Sequence, residues 1–272
     1  MLWLDKYRPH ALSDMKFHAT LNHQLLQLAS PEKVQSLPHL LFYGPSGAGK
    51  KARVSALLRA VYGPGADKVK VEMRNFKISG GKVVDQGAAA DGVELAILSS
   101  SFHVEMSPSD VGPFKDRLVT QAVVKEMAQS NMPTGAVTFK IVVLNDVDEL
   151  SRDAQAALRR TMEKYSSTCR FILVSQNPCR VIDPLRSRCI ALRVPSPSVP
   201  EVQAVLHGVA SAEHVELPAA LCVFFSRLLL IPPSTHRLLT PVCQLASDCY
   251  IMRRQRQTRS VVPGESLHEI RN

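Results

Sequence analysis

The most constraining feature of the chain is the heptapeptide Gly44-Pro45-Ser46-Gly47-Ala48-Gly49-Lys50. It follows the short apolar run His39-Leu-Leu-Phe-Tyr43, which suits a central parallel strand buried on both faces. After it, Val54, Leu57, Leu58 and Val61 recur at helical spacing until Gly63-Pro64-Gly65 supplies a stop. Strand, glycine-rich loop and helix in that order form a phosphate-binding loop. The glycines let backbone N–H groups approach an anion, and the following helix points its positive end at it. Lys50 is expected to reach the β and γ phosphates, so the chain is predicted to bind a nucleotide.

The metal half of such a site reads as degraded. Where a Ser or Thr hydroxyl would ligate Mg²⁺, the chain has Lys51, whose ammonium donates hydrogen bonds and accepts none. The metal-binding Asp expected at the end of the strand Ile141 to Leu144 is replaced by Asn145, with Asp146 and Asp148 following. In this register Asp146 stands where a water-activating Glu belongs, and one fewer methylene withdraws the carboxylate by about 1.5 Å. A shift of one residue makes Asp146 the metal ligand instead, and the sequence leaves both registers open. Mg²⁺ is not expected to be well held, no other metal site is predicted, and hydrolysis by this site is expected to be weak or absent.

Alternation of strands and helices extends over the first 195 residues. Phe139 to Leu144, Cys169 to Val174 and Cys189 to Val194 read as strands. A helix runs from about Arg152 to Tyr165 behind a capping Ser151. This is the pattern of a parallel sheet flanked by helices. Pro195-Ser-Pro-Ser-Val-Pro200 reads as a linker. Beyond it, Val202, Val205, Leu206 and Val209, then Leu221, Phe224, Phe225 and Leu228, fall at helical spacing. The predicted organisation is an α/β domain over 1–195, a small all-α lid over 196–252 and a basic, disordered tail over 253–272. Gly80 to Gly92 reads as an exposed loop or insertion.

The formal net charge of +9 favours polyanionic partners without choosing among them. The six cysteines show no CxxC pair and no zinc spacing, so reduced thiols are expected. Leu217 to Ile231, the most hydrophobic stretch, is shorter than the roughly twenty residues of a membrane span and carries Arg227. No membrane partner is expected. The charged N-terminus lacks a signal-peptide core.

Four blocks in order carry a family resemblance: Trp3-Leu-Asp-Lys-Tyr-Arg-Pro9, the loop ending in Lys50-Lys51, Asp153-Ala-Gln-Ala-Ala-Leu-Arg-Arg-Thr-Met-Glu-Lys-Tyr165, and Pro184-Leu-Arg-Ser-Arg-Cys189. Together they resemble the small subunits of replication factor C, the eukaryotic sliding-clamp loader, an AAA+ family. The Lys51 form of the loop resembles one branch of it with a defective site. The resemblance implies an AAA+ P-loop nucleotide-binding domain followed by the helical lid. It implies ATP or ADP as the bound nucleotide and places Tyr7 and Arg8 near the adenine. Arg188 would be an arginine finger reaching the γ-phosphate held by an adjacent subunit; without the family it reads as a surface residue. Gln176 or Asn177 stands at the γ-phosphate sensor, and Arg237 is the nearest candidate for a second sensor in the lid.

Arg117 and Lys125, about two turns apart on a helix after Ser107-Pro-Ser-Asp110, are the candidates for DNA phosphate contact, against a plain solvated face. The implied partners are the other replication factor C subunits, a sliding clamp and primer-template DNA, in the nucleus. The resemblance is dense from Met1 to about Pro197, and the family's third, oligomerising collar domain is expected to be missing. The rival expectations are an independent AAA+ ATPase remodeller and a nucleotide-free scaffold.

Overall fold

Burial on both faces of a short apolar strand dictates the architecture. In the computed structural model, which describes residues 6–79, 82–85, 93–112, 115–130 and 137–214, His39–Tyr43 forms strand β1. β1 is hydrogen-bonded in parallel to β7 (Cys169–Ser175) on one side and β8 (Cys189–Arg193) on the other. The remaining elements, in chain order, are α1 (Ala19–Leu28), α2 (Lys50–Tyr62), β2 (Lys70–Ser79), β3 (Lys82–Asp85), β4 (Val93–Ser99) and β5 (His103–Met106). They continue with α3 (Asp116–Gln129), β6 (Lys140–Leu144), α4 (Arg152–Lys164), the single turn α5 (Asp183–Arg186) and α6 (Val199–Ala212). The eight strands lie in the order β3-β2-β4-β5-β6-β7-β1-β8.

Alternate residues of the central strands enter two cores. Leu41, Val142, Leu144, Phe171 and Leu173 pack with Val119, Val123 and Leu158 of α3 and α4 on one face. Leu40, Phe42, Ile141, Val143, Ile172 and Val174 pack with Leu25 of α1 and Leu57 of α2 on the other. Each fully buried side chain of this size contributes roughly 1.5–3 kcal/mol. The expected strands and helices of this part are all present, and Ser151 caps α4 by accepting the N–H of Ala154 at 3.2 Å. Asp116, buried at the start of α3, accepts the N–H of Arg117 at 2.7 Å and that of Ser151 at 2.8 Å, so one carboxylate ties α3 to the cap of α4.

The sheet extends beyond its expected parallel part. β5, β6, β7, β1 and β8 are parallel, whereas β4 runs antiparallel to β5, and β2 antiparallel to both β4 and β3. Part of the segment 80–92, expected to be loop, is therefore strand β3. The linker is shorter than expected. Val199 and Pro200 already belong to α6, whose first turn has N–H groups without helical partners and so tolerates proline, behind a capping box from Ser198 to Glu201. The described residues fall in one unit, Met1–Leu229. The lid positions Leu221 to Leu228, Arg237 and the 253–272 tail lie outside the described residues. Among the described residues Cys169, Cys179 and Cys189 are free, and no helix is long and apolar enough to cross a membrane.

His39 gives the fold a dependence on pH. Its Nδ1 accepts the N–H of Phe171 at 3.1 Å, and its ring meets the Phe171 ring edge-on at 5.4 Å. Burial, with a smaller contribution from the Arg170 guanidinium, lowers its pKa to about 4. Protonation would turn the accepting nitrogen into a donor facing another donor. Because the folded-state value lies below the unfolded one, the stabilisation is complete above pH ~6.5 and is lost as pH falls toward 4. Denaturant unfolding midpoints of the wild type are expected to fall over that window more than those of His39→Gln, which cannot titrate.

Candidate nucleotide-binding site

The carboxyl ends of β1, β6 and β7 converge on the loop between β1 and α2. Gly44 leaves β1 with φ of 150°, and a Cβ there would stand 2.0 Å from the carbonyl oxygen of Val194, just after β8. Val194 in turn donates its N–H to the Tyr43 carbonyl at 2.8 Å. Gly49, with φ of 84°, turns the chain into α2. The first-turn N–H groups of α2 have no partners within the helix and face the loop, the arrangement that receives an anion.

Lys50 is the first residue of α2 and only 8% exposed. Its Nζ donates to the carbonyls of Gly44 at 2.6 Å and Pro45 at 2.9 Å. Burial holds its pKa below the usual lysine range; the nearby Asp146 and Asp148 oppose that shift and Lys51 adds to it. Lys51 is exposed beside it. Two lysines at the positive end of a helix work against the helix dipole, a conflict that an anion resolves. Pro45, Ser46 and Gly47 are exposed at the rim, and Ala48 is buried beneath them.

Beneath the loop lies a side chain that the sequence reading missed. Arg53, 3% exposed, donates to the carbonyls of Ala48 at 3.0 Å and Gly49 at 3.4 Å, and reaches the Phe17 carbonyl and Asn22 Oδ1, each at 3.3 Å. Burial pushes its pKa below the usual arginine value. Its guanidinium fixes the loop carbonyls from behind and joins them to α1. The signal was an arginine inside the apolar spacing of α2.

The acidic side is occupied by local bonds. Asn145, 3% exposed and directly after β6, extends the ladder by donating its N–H to Met106 and its amide Nδ2 to Glu105 Oε1 at 2.8 Å; its Oδ1 has no partner among the described residues. Asp146 follows in a left-handed turn with φ of 50°, half-buried. Asp148 accepts the N–H groups of Gln176 and Asn177, each at 3.2 Å. It thus braces the loop after β7, where Gln176 is half-buried and Asn177 exposed. Glu105 carried no sequence signal of its own. Among the described residues no group of three or more His, Cys, Asp or Glu could hold a metal ion.

At the N-terminal side, half-buried Tyr7 donates its hydroxyl to Glu213 at 2.8 Å, Lys6 pairs with the same carboxylate at 2.7 Å, and Arg8 is exposed. The Glu213 bond holds the Tyr7 hydroxyl above its ordinary pKa. This arm therefore touches the residue just after α6. Arg188 lies apart from the loop, exposed between α5 and β8, with Nη1 on the Pro184 carbonyl at 2.8 Å and Nη2 paired with Glu163 of α4. Arg159 shares Glu163, and the two guanidinium groups hold its carboxyl below the usual range. Arg117 and Lys125 are both exposed on α3.

Residues 20–198 match the family described as DNA polymerase III, delta subunit. The chain is similar to probable replication factor C subunit 3 of Dictyostelium discoideum, with 45% identity over 82% of this chain and 61% of that protein. Against replication factor C subunit 5 of rice the identity is 48%, over 80% and 59%; against human replication factor C subunit 3 it is 43%, over 81% and 59%. The chain thus spans about three fifths of the length of these relatives. In fold it is similar to the Thermotoga maritima RuvB Holliday junction branch migration motor, with a TM-score of 0.52 at 14% identity over 81% of this chain and 59% of that one.

Gly44→Ala is the sharpest test of the loop geometry. The added methyl would overlap the Val194 carbonyl, so the variant is expected to lose about 3 kcal/mol of stability in urea unfolding and to bind ADP measurably more weakly.

Proposed function

The chain belongs to the DNA polymerase III delta subunit family, with replication factor C subunits three and five as relatives, and from that premise we propose that it is a subunit of a sliding-clamp loader. It binds ATP or ADP in the loop Gly44 to Lys51, and works beside other replication factor C subunits to place a ring clamp on primer-template DNA in the nucleus. The observation that carries the nucleotide reading is the placement of Lys50 and Lys51 at the positive end of α2, below a glycine pressed on the Val194 carbonyl.

Its own hydrolysis is weak. Asp146 stands one residue past the ladder, and a carboxylate on that short side chain is a poor general base for water. Gln176 or Asn177, both held through their N–H groups by Asp148, acts as the sensor on the γ-phosphate side. Tyr7 and Arg8 lie near the base, and Arg237 is the candidate for a second sensor. Arg117 and Lys125 meet DNA phosphates, a contact that needs no base reading.

Arg188 acts in trans. Its guanidinium lies outside the chain's own loop, where it is exposed and shared between Glu163 and a backbone carbonyl. Exposed ion pairs contribute little, so exchanging Glu163 for a neighbour's γ-phosphate is inexpensive. In a reconstituted complex with clamp and primed DNA, Arg188→Ala is expected to lower ATP turnover at the neighbouring site by roughly 10³-fold while the complex stays assembled. Unchanged turnover in an intact complex would remove the finger from Arg188 and leave the chain as a scaffold.

A further inference from the structure

Two positions of the loop site, Lys51 and Asn145, each carry one more positive charge than their counterparts in a metal-holding site, and together they match the charge of a divalent cation. A hydroxyl on the first turn of α2 and a carboxylate at the end of β6, together with a divalent cation, carry one net positive charge. Lys51 and Asn145 at those places, with no metal, carry the same. We propose that the Lys51 ammonium stands in for the divalent cation, so that this site holds its nucleotide phosphates without metal. The proposal rests on the reading of the loop as a nucleotide site.

The residues present do not fit magnesium. Mg²⁺ asks for near-ideal octahedral oxygen coordination through one or two carboxylates and the substrate phosphates. Lys51 has no acceptor to offer and brings a like charge to the place where the metal would sit. Asn145 brings no charge: its amide nitrogen donates to Glu105, and its Oδ1, without a partner among the described residues, is a neutral buried carbonyl where a carboxylate would be needed. Both oxygens of Asp148 receive backbone N–H groups. Asp146 retains a carboxylate, whose field already acts on Lys50.

The ammonium groups suit the opposite task. Lys50 and Lys51 are the first two residues of α2: Lys50 is buried with its Nζ on the loop carbonyls, and Lys51 is exposed at the same helix start. Phosphate oxygens are the acceptors that an exposed lysine at a helix start can reach, through charge-assisted hydrogen bonds. Arg53 keeps the Ala48 and Gly49 carbonyls turned back toward the protein, away from such an anion.

Titration of the purified chain with a fluorescent ADP analogue, in excess Mg²⁺ and in excess EDTA, tests the proposal. The wild type is expected to bind equally in both buffers, within about twofold, and Lys51→Gln to bind about tenfold more weakly in EDTA. Lys51→Arg, which keeps the charge, is expected to retain metal-free binding. Weakening of the wild type by about tenfold or more in EDTA would overturn the proposal, as would wild-type affinity of Lys51→Gln in EDTA. Binding in neither buffer would instead overturn the reading of the loop itself, a result distinct from metal-dependent binding.

Discussion

The approach of backbone to backbone at Gly44 is the constraint on which the rest of the site depends. With the Val194 carbonyl at 2.0 Å from any Cβ, the turn out of β1 closes only because no side chain is there. That contact, with the Val194 N–H on the Tyr43 carbonyl, seats β8 against β1 at the level where the loop begins. The direction of α2 follows, and so does the placement of Lys50 and Lys51. On the other flank, β7 pairs with β1 as far as Tyr43 and Ser175, which brings the loop carrying Gln176 to the same edge. A parallel sheet thus gathers residues from distant parts of the chain at its carboxyl edge, because every strand there ends in the same direction.

Much of this was legible in the sequence, and the misses have a common cause. The central strands are apolar on both faces and are bounded by glycine or a cap, so their pattern has one reading. β2 carried no reading in the sequence: its alternation of Val71 and Met73 against Glu72 and Arg74 is short and interrupted by charge. In the structure the apolar residues of that alternation face out, with Val71 and Met73 69% and 66% exposed. Arg74 instead lies partly buried, paired with Glu72 and with both oxygens of Glu126 on α3. A salt-bridged face is indistinguishable from a solvated one in a string of residue types.

The candidate site was legible where a backbone conformation demanded glycine and where a motif named the lysine. It was not legible where a side chain works through a partner. Arg53, Glu105 and Glu163 each act on a recognisable residue, the loop carbonyls, Asn145 and Arg188 respectively. Their partners come together only in the folded chain. The sequence shows Asp148 only as a further acidic residue after Asn145, and the fold gives it a visible task, holding two N–H groups of the turn after β7. Short carboxylates near a strand end serve backbone donors as readily as they serve a reaction.

The strand order also sets a schedule for the nascent chain. β1 is made early, yet its two sheet neighbours come late: 132 positions separate His39 from Phe171. At synthesis rates of 5–20 residues per second, that interval is on the order of ten seconds, with Leu40, Leu41 and Phe42 waiting for their partners. Helix α2 can form locally in that time, but Gly44 has nothing to rest on until Val194 emerges. The loop is therefore among the first parts written and among the last assembled. A ribosome that stalls between β6 and β7 leaves an apolar strand with both edges open, the kind of intermediate that chaperones hold.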